Sequence, residues 1–186
     1  MKAILSILFT AIISFSFAQK EANLIILNKS TIEWIGKKVT GEHTGNISLL
    51  KANLEFKDSK LLGGSFTLDM ESITCTDLGD VMAGKLVGHL KSEDFFDVKG
   101  FPESTLRFTG VKHIEGYSYS VVANLTIKGV THPIEFTTRI KEHEATATLK
   151  VDRTLYDVRY GSASFFDNIG DKAIDDIFEI KVNLVY

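Results

Sequence analysis

The chain has 186 residues, of which 44% are hydrophobic and 24% charged, with two prolines and one cysteine. This composition is too apolar for a disordered chain, and a disulfide framework is excluded because Cys75 has no partner within the chain. The formal net charge of −3 argues against a nucleic-acid partner, since proteins that bind nucleic acids present basic surfaces.

The N-terminus has the pattern of a secretory signal peptide. Lys2 is followed by an almost unbroken apolar run over 3–17, and the small residue Ala18 precedes a polar stretch. A membrane anchor is the rival interpretation, but the run is short for a bilayer span and a small-residue cleavage site follows it. We therefore predict a cleaved signal peptide over 1–18 and a single domain over 19–186. The domain is expected in the periplasm or secreted, without stable membrane insertion.

Beyond the signal peptide, apolar residues recur mainly with a period of two, which is typical of strands with one apolar face. Turn sequences such as Leu62-Gly63-Gly64 separate these strands. One-faced strands joined by short turns predict an all-β fold, an eight-stranded antiparallel barrel that is either filled by side chains or holds one ligand. The alternating segments lie around 31–39, 50–56, 66–70, 106–108, 121–127, 134–140, 145–151 and 178–186.

One segment departs from this period. Met82, Leu86 and Leu90 recur at i, i+4 and i+8, which predicts a short helical insertion at about 80–91. Asp77 or Asp80 is the candidate cap at its start. A lone helix in an all-β chain is expected to cover part of the barrel or its mouth.

The common catalytic signatures are absent from the sequence. It has no Gly-x-Ser-x-Gly and no phosphate-binding loop. The five histidines are scattered, and none stands at metal-ligand spacing with another histidine or with Cys75. The acidic run over 167–176 resembles neither a calcium loop nor a glycosidase pair. We predict a protein without catalytic residues, metal or cofactor, with an enzyme site assembled by the fold as the alternative.

Two pairs of phenylalanines fall outside the strand pattern. The tripeptide Phe-Phe-Asp occurs twice, at Phe95-Phe96-Asp97 and at Phe165-Phe166-Asp167. Aromatic side chains in loops at a barrel mouth line the entrance to an apolar pocket, or they plug the end of the core.

A third local feature sets arginines and tyrosines near the end of a strand. Arg153 and Arg159 are candidates for binding an anionic head group such as a pyrophosphate, and Tyr156 for donating to a quinone oxygen. The alternative is a salt bridge to one of the neighbouring aspartates.

Three segments resemble the YceI-like family: 89–98 (HLKSEDFFDV) with 101–105 (FPEST), 124–134 (NLTIKGVTHPI) and 153–156 (RTLY). The resemblance implies a lipocalin-like, eight-stranded barrel with a helical insertion and a long apolar cavity for a polyisoprenoid chain, either an isoprenoid pyrophosphate or an isoprenoid quinone. It also implies export, homodimers in several members and no catalysis. The chain departs from the family over Tyr156–Ser162, where many members have a Phe-Gly pair, so its head-group preference is expected to differ.

The residues and the resemblance together predict a carrier, storage or sequestering protein for a long-chain isoprenoid lipid. Burying about 400 Å² of tail at roughly 25 cal/mol per Å² contributes about 10 kcal/mol before ordering costs. The alternatives are another amphiphile, such as a fatty acid or its amide, or a partner-binding role without a ligand. The predicted ligand-binding residues are Phe66, Leu68, Leu106, Phe108, Val121, Leu125, Ile127 and Phe136 on the wall, Phe95 and Phe96 at the entrance, and Arg153, Tyr156 and Arg159 near the head group. The same wall residues would equally make a filled core.

Overall fold

A computed structural model describes residues 21–167 and 170–186, with the backbone alone for 21–24. The predicted signal peptide lies outside the described residues. Short 3₁₀ turns occur at Leu27–Lys29, Met70–Ser72, Arg153–Tyr156 and Gly170–Lys172. The helix and strands are β1 (Glu21–Leu24), β2 (Thr31–Lys38), β3 (Gly41–Asn46), β4 (Ser48–Lys57), β5 (Lys60–Asp69), α1 (Asp80–Lys91), β6 (Glu103–Glu115), β7 (Ser118–Ile127), β8 (Val130–Lys141), β9 (Glu144–Asp152) and β10 (Ile177–Val185).

The strands form one antiparallel sheet in the order β1-β4-β5-β6-β7-β8-β9-β10-β2-β3. The sheet curls back on itself because β3 and β4 are one long strand bent at Ile47. The first half of this strand pairs with β2 and the second half pairs with β5. Counted this way, the barrel has the eight strands that the sequence predicts, and the all-β antiparallel fold with one helix is confirmed. β1 is an additional short strand on the outer edge of β4.

The segment after β1 bridges the remaining gap between β4 and β10. Ile25 N–H donates to the Ala52 carbonyl at 3.5 Å, and Ile26 N–H donates to the Val185 carbonyl at 2.7 Å. Both neighbouring strands therefore find backbone partners that an open edge would lack. The side chain of Ile25 is buried beneath this bridge.

A second segment crosses β3 on its way to the helix. Thr74 N–H donates to the Asn46 carbonyl at 3.0 Å, and Thr76 N–H donates to the Thr44 carbonyl at 2.9 Å. Gly45 makes this close approach feasible, since a Cβ there would lie 1.8 Å from the Thr74 oxygen. The crossing fixes the path of the chain into α1.

Helix α1 has the bounds that the sequence predicts, but the predicted cap is wrong. Gly79 occupies the N-cap position without a side-chain hydrogen bond. Asp77 instead reaches back to β3, because the crossing segment holds it beside that strand. Leu90 is buried and Leu86 packs partly buried against the same core cluster, whereas Met82 is 55% exposed, so the second half of α1 packs against the barrel.

The two ends of the barrel differ. At the helix end, Phe95 and Val98 pack with Trp34, Ile47 and Ile73. The opposite end, called the closed end below, is filled by a tight cluster. Its buried members are Ile25, Ile32, Leu54, Phe56, Leu61, Tyr119, Val121, Ala123, Ile140, Ala145 and Leu184.

The Asp77 carboxylate links the crossing segment to β3. It accepts hydrogen bonds from His43 Nδ1 at 2.8 Å, Thr44 N–H at 2.9 Å and Cys75 Sγ at 3.3 Å. Partial burial alone would raise the pKa of Asp77, but these three donors outweigh it and lower the pKa to about 2. Burial and the contact with this carboxylate raise the pKa of the Cys75 thiol, which therefore stays protonated at neutral pH.

Replacing Asp77 with asparagine is expected to lower stability by about 1 kcal/mol near neutral pH, since the carboxylate is partly exposed. A lowered carboxyl pKa stabilises the fold above the unfolded value of about 3.9, and that contribution is lost as the pH falls toward 2. The difference between the wild type and Asp77→Asn should therefore shrink between about pH 4 and about pH 2 in urea unfolding experiments. A difference that stays constant over that range would contradict the assignment.

Candidate functional site

An apolar cavity, called the barrel cavity below, runs inside the sheet. Its volume is about 100 Å³, and Ser104, Thr105 and Thr138 are the polar side chains in its wall. Of the predicted wall residues it contains Phe66, Leu68, Leu106, Phe108, Leu125, Ile127 and Phe136. The opposite wall comes from inward residues of β9 and β10: Ala145, Ala147, Leu149, Val151, Phe178, Ile180, Val182 and Leu184. The alternation of apolar and polar residues along β9 and β10 predicts that these residues face inward, but they were not among the predicted ligand-binding residues.

Three phenylalanine rings narrow the barrel cavity. The Phe66 and Phe108 ring centroids lie 5.6 Å apart, and those of Phe108 and Phe136 lie 5.9 Å apart. These rings line the barrel cavity and pack against the closed-end cluster, so an extended ligand has to displace them by rotation of their side chains.

A second cavity, called the mouth cavity below, lies at the helix end and measures about 210 Å³. Ile47, Phe96 and Phe178 line both cavities and thus form the partition between them. The Phe96 ring centroid lies 6.4 Å from that of Phe178 and 4.9 Å from that of Phe95. The full wall of the mouth cavity is Trp34, Gly36, Lys37, Lys38, His43, Ile47, Ile73, Leu86, His89, Leu90, Phe95, Phe96, Arg153, Ile174, Asp175 and Phe178.

The predicted entrance pair therefore lies beside the mouth. Phe95 is buried in the wall of the mouth cavity, and Phe96 stands in the partition. The second phenylalanine pair of the sequence is placed differently. Phe165 and Phe166 are about half exposed and line neither cavity.

Arg153 lines the mouth cavity, but its hydrogen bonds go to the protein. Its Nε donates to the Asp175 carbonyl at 3.0 Å, and its remaining donors reach three further carbonyls at 2.8–2.9 Å and one Asp176 carboxylate oxygen at 3.5 Å. These five contacts engage all five N–H groups of a guanidinium. Burial lowers the pKa of Arg153, and the neighbouring aspartates oppose that effect. The guanidinium also lies 5.6 Å from the Phe95 ring centroid. This arrangement anchors the segments 158–160 and 174–176 to the end of β9.

Three predicted site residues lie outside both cavity walls. Val121 is fully buried in the closed-end cluster, because the tight packing there leaves no space at its inward position. Tyr156 is 2% exposed and packs beside β7 and β9, and this burial raises its pKa. Arg159 is exposed, with its Nε 3.2 Å from Asp157 and its guanidinium 4.7 Å from the Phe165 ring centroid. The structure does not bring these three together with the cavity.

His89 lines the mouth cavity and was not among the predicted site residues. Its Nε2 atom is buried and has no hydrogen-bond partner in the part of the chain that the structure describes. The ring lies edge-on to Tyr160 and Phe95, with centroid distances of 4.4 Å and 5.6 Å. Its place at the start of the HLKSEDFFDV segment was the only sequence signal.

Within residues 21–167 and 170–186, no group of three or more histidine, cysteine, aspartate or glutamate side chains is placed to hold a metal ion. None of the helices in these ranges has the length and apolar character needed to cross a bilayer.

A family model described as a YceI-like domain matches residues 25–186, which include every element that forms the two cavities. The chain belongs to the YceI-like family. Curated relatives include UPF0312 proteins of Yersinia pestis (strain Pestoides F), 33% identical over 85 residues, and of Yersinia enterocolitica, 35% identical over 86 residues. The chain spans 44% of the length of each of these relatives, and the match covers 41% of this chain.

Solved structures share the YceI-like fold. Burkholderia cenocepacia BcnA superposes with a TM-score of 0.69 at 24% identity, over 87% of this chain and 99% of that one. A domain from Saccharophagus degradans, described as polyisoprenoid-binding and implicated in plant cell wall breakdown, gives a TM-score of 0.59 at 15% identity, over 87% and 95%. A Campylobacter jejuni YceI protein gives 0.54 at 14% identity, over 98% and 96%. At these identities the likeness concerns the fold.

Proposed function

We propose that this is an exported protein that binds a long-chain polyisoprenoid lipid in its barrel, for transport, storage or sequestration. The observation that carries the proposal is that the mouth cavity and the barrel cavity, both lined largely by apolar side chains, adjoin each other across the partition that contains Phe96. The polyisoprenoid-binding description of the Saccharophagus degradans domain of the same fold supports the choice of lipid. Export rests on the signal peptide predicted from the sequence.

The tail enters from the helix end in this proposal, because the closed end is packed. Taken together, the two cavities only reach the lower end of the roughly 300–1,000 Å³ typical of pockets for small ligands. A long tail therefore has to join them by turning Phe96 and the rings of Phe66, Phe108 and Phe136. Rotamer changes of this kind are within reach of side chains that face a cavity.

The mechanism is binding without turnover. The barrel cavity wall contains hydroxyl groups on Ser104, Thr105 and Thr138, but no carboxylate, histidine, lysine or cysteine stands beside them in that wall to act as an acid or base or to activate a hydroxyl. Apolar burial supplies the affinity, and the few polar groups at the mouth select the head group.

The test compares two tail classes on protein purified from a host that exports it. Geranylgeraniol and palmitic acid are titrated against the protein, with binding followed by native mass spectrometry and by the fluorescence of Trp34, the single tryptophan of the chain and part of the mouth wall. We expect sub-micromolar binding of geranylgeraniol and at least tenfold weaker binding of palmitic acid. Preference for palmitic acid would favour the fatty-acid alternative, and binding of neither would contradict the proposal.

A further inference from the structure

A groove, called the outer groove below, crosses β4, β5 and β6 on the outside of the barrel. Its volume is about 420 Å³, which is within the range typical of sites for small ligands. Its polar side chains point outward, because they alternate along their strands with Ala52, Phe66 and Leu106, which pack toward the core. The polar residues are Lys51 and Asn53 of β4, Ser65 and Thr67 of β5, and Thr105 and Arg107 of β6.

A β-bulge brings Lys51 to this outer face. Leu49 pairs with Leu68 and Lys51 pairs with Thr67, so β4 has one extra residue between the two pairs. Strict alternation from Leu49, which lines the barrel cavity, would turn Lys51 inward as well. With the extra residue, Lys51 is exposed outside the barrel and the next residue, Ala52, packs toward the core. Bulges of this kind re-aim a side chain, and this one adds a cation to the outer groove.

The amide of Asn53 has a fixed orientation in the outer groove. Its Oδ1 atom accepts hydrogen bonds from the Ser65 backbone N–H at 3.1 Å and from the Ser65 hydroxyl at 2.5 Å. A backbone N–H can only donate, so the atom facing it is the amide oxygen and the other end of the amide is the NH₂ group. Both residues are half-buried in the sheet, which holds this NH₂ group in place as a donor.

The remaining polar groups of the outer groove are not engaged by the protein. Within residues 25–167 and 170–186, no carboxylate belongs to the groove wall. Glu55 and Glu103 are the acidic residues next to it, and each lies one outward position farther along its strand. A wall with two cations, several donors and no carboxylate is suited to an anion. Four of its side chains form no hydrogen bond or ion pair with any described residue: Lys51, Thr67, Thr105 and Arg107.

We propose that the outer groove binds a phosphate group, either free or carried by a small polar molecule such as a sugar, at a site separate from the lipid cavity. Lys51 and Arg107 stand on opposite sides of β5, with their Cα atoms roughly 12 Å apart from the strand spacing and register. Their long side chains converge over Thr67 and balance the charge of the phosphate. The Asn53 NH₂ group and the Thr67 and Thr105 hydroxyls donate to its oxygens.

The first experiment compares three ligands on the wild-type protein. Glucose 6-phosphate, inorganic phosphate and glucose are titrated by calorimetry near neutral pH and at low ionic strength, because salt screens exposed charges. We expect glucose 6-phosphate to bind at least about tenfold more tightly than glucose. Weaker binding of inorganic phosphate assigns the site to a phosphate ester, and equal or tighter binding assigns it to the free anion. Equal binding of glucose and glucose 6-phosphate, or no binding of either phosphate ligand, overturns the proposal.

The second experiment changes single residues of the groove and titrates whichever phosphate ligand binds more tightly. Lys51→Met and Arg107→Met each remove one exposed cation and should weaken binding at least about fivefold. Asn53→Asp still accepts the hydrogen bonds from Ser65, but it presents a carboxylate oxygen where the wild type presents an amide donor. Binding should therefore fall at least about tenfold in Asn53→Asp, with little change in the unfolding midpoint.

The matched control is Arg139→Met, which removes an exposed arginine of β8 that lies outside the groove. Its phosphate affinity should equal that of the wild type. Equal losses in Arg139→Met and Arg107→Met would overturn the proposal, because they would reduce the effect to overall charge. Wild-type affinity in Asn53→Asp would overturn it as well.

This proposal and the proposed lipid-binding function fail separately. The inward side chains of β4, β5 and β6 are unchanged in Lys51→Met, Asn53→Asp and Arg107→Met, so all three should bind geranylgeraniol as the wild type does. Loss of phosphate binding with unchanged geranylgeraniol binding supports a distinct outer site. Parallel loss of both ligands in these variants would overturn the outer site, because it would indicate damage to the barrel.

Discussion

Replacing Ala147 with phenylalanine is expected to weaken isoprenoid binding at least 100-fold while leaving the barrel folded. Ala147 faces the barrel cavity from β9, between Ala145 and Leu149. A ring at this position fills space that the tail requires. A 100-fold loss corresponds to about 2.8 kcal/mol, or roughly 110 Å² of tail left unburied at 25 cal/mol per Å². The measurement is a geranylgeraniol titration with thermal unfolding alongside.

The control for this prediction is Thr148→Phe on the same strand. Successive side chains of a strand point to opposite faces, and Thr148 is exposed on the outside of the barrel. It adds a ring of the same size without entering the cavity, so binding should remain at the wild-type level. Equal loss of affinity in both variants, or wild-type affinity in Ala147→Phe, would contradict a site inside the barrel.

Replacing Arg153 with methionine is expected to destabilise the protein by about 3–5 kcal/mol. The variant leaves four backbone carbonyls without their donor, among them those of Val158 and Ile174, and leaves Asp176 without its ion pair. For a chain of this size the unfolding midpoint should fall by roughly 10 °C or more. Differential scanning calorimetry measures this shift.

Arg159→Met is the matched control, because Arg159 is exposed and its contacts are at the surface. Its effect on stability should stay within about 0.5 kcal/mol. If Arg153 instead served the head group, Arg153→Met would lose affinity for an isoprenoid pyrophosphate and keep its unfolding midpoint. That result would contradict the structural role.

The strand alternation was a sound guide to the fold. The inward faces of β7 and β9 follow the pattern read from their sequences, and the helix begins and ends at Asp80 and Lys91 as predicted. Pattern alone could not give the bend at Ile47, because it depends on the pairing of one strand with two different neighbours. The alternation of apolar residues indicates which face of a strand is buried, but it does not indicate which neighbouring strand it pairs with.

The site was harder to predict because the sequence does not reveal which charged side chains are already paired with other groups of the protein. Arg153 has the residue type that suits a head group, yet its donors are engaged by backbone carbonyls at both ends of the loop that follows it, at Val158 and Tyr160 and at Ile174 and Asp175. Val121 shares the alternation of the cavity wall, but it falls at the packed end of the barrel. His89 is a residue that the sequence did not single out. Only the three-dimensional packing shows that its Nε2 atom is buried without a hydrogen-bond partner among the described residues.

The central claim is that the barrel holds an isoprenoid tail, and one measurement tests it most directly. The protein is exported from its host, purified without detergent, and examined by native mass spectrometry together with solvent extraction of whatever is bound. The account predicts a bound lipid whose mass variants differ by one isoprene unit. Lipid-free protein that also refuses added prenyl lipid would contradict it, and would mean that Phe66, Phe108 and Phe136 fill the barrel as an ordinary core.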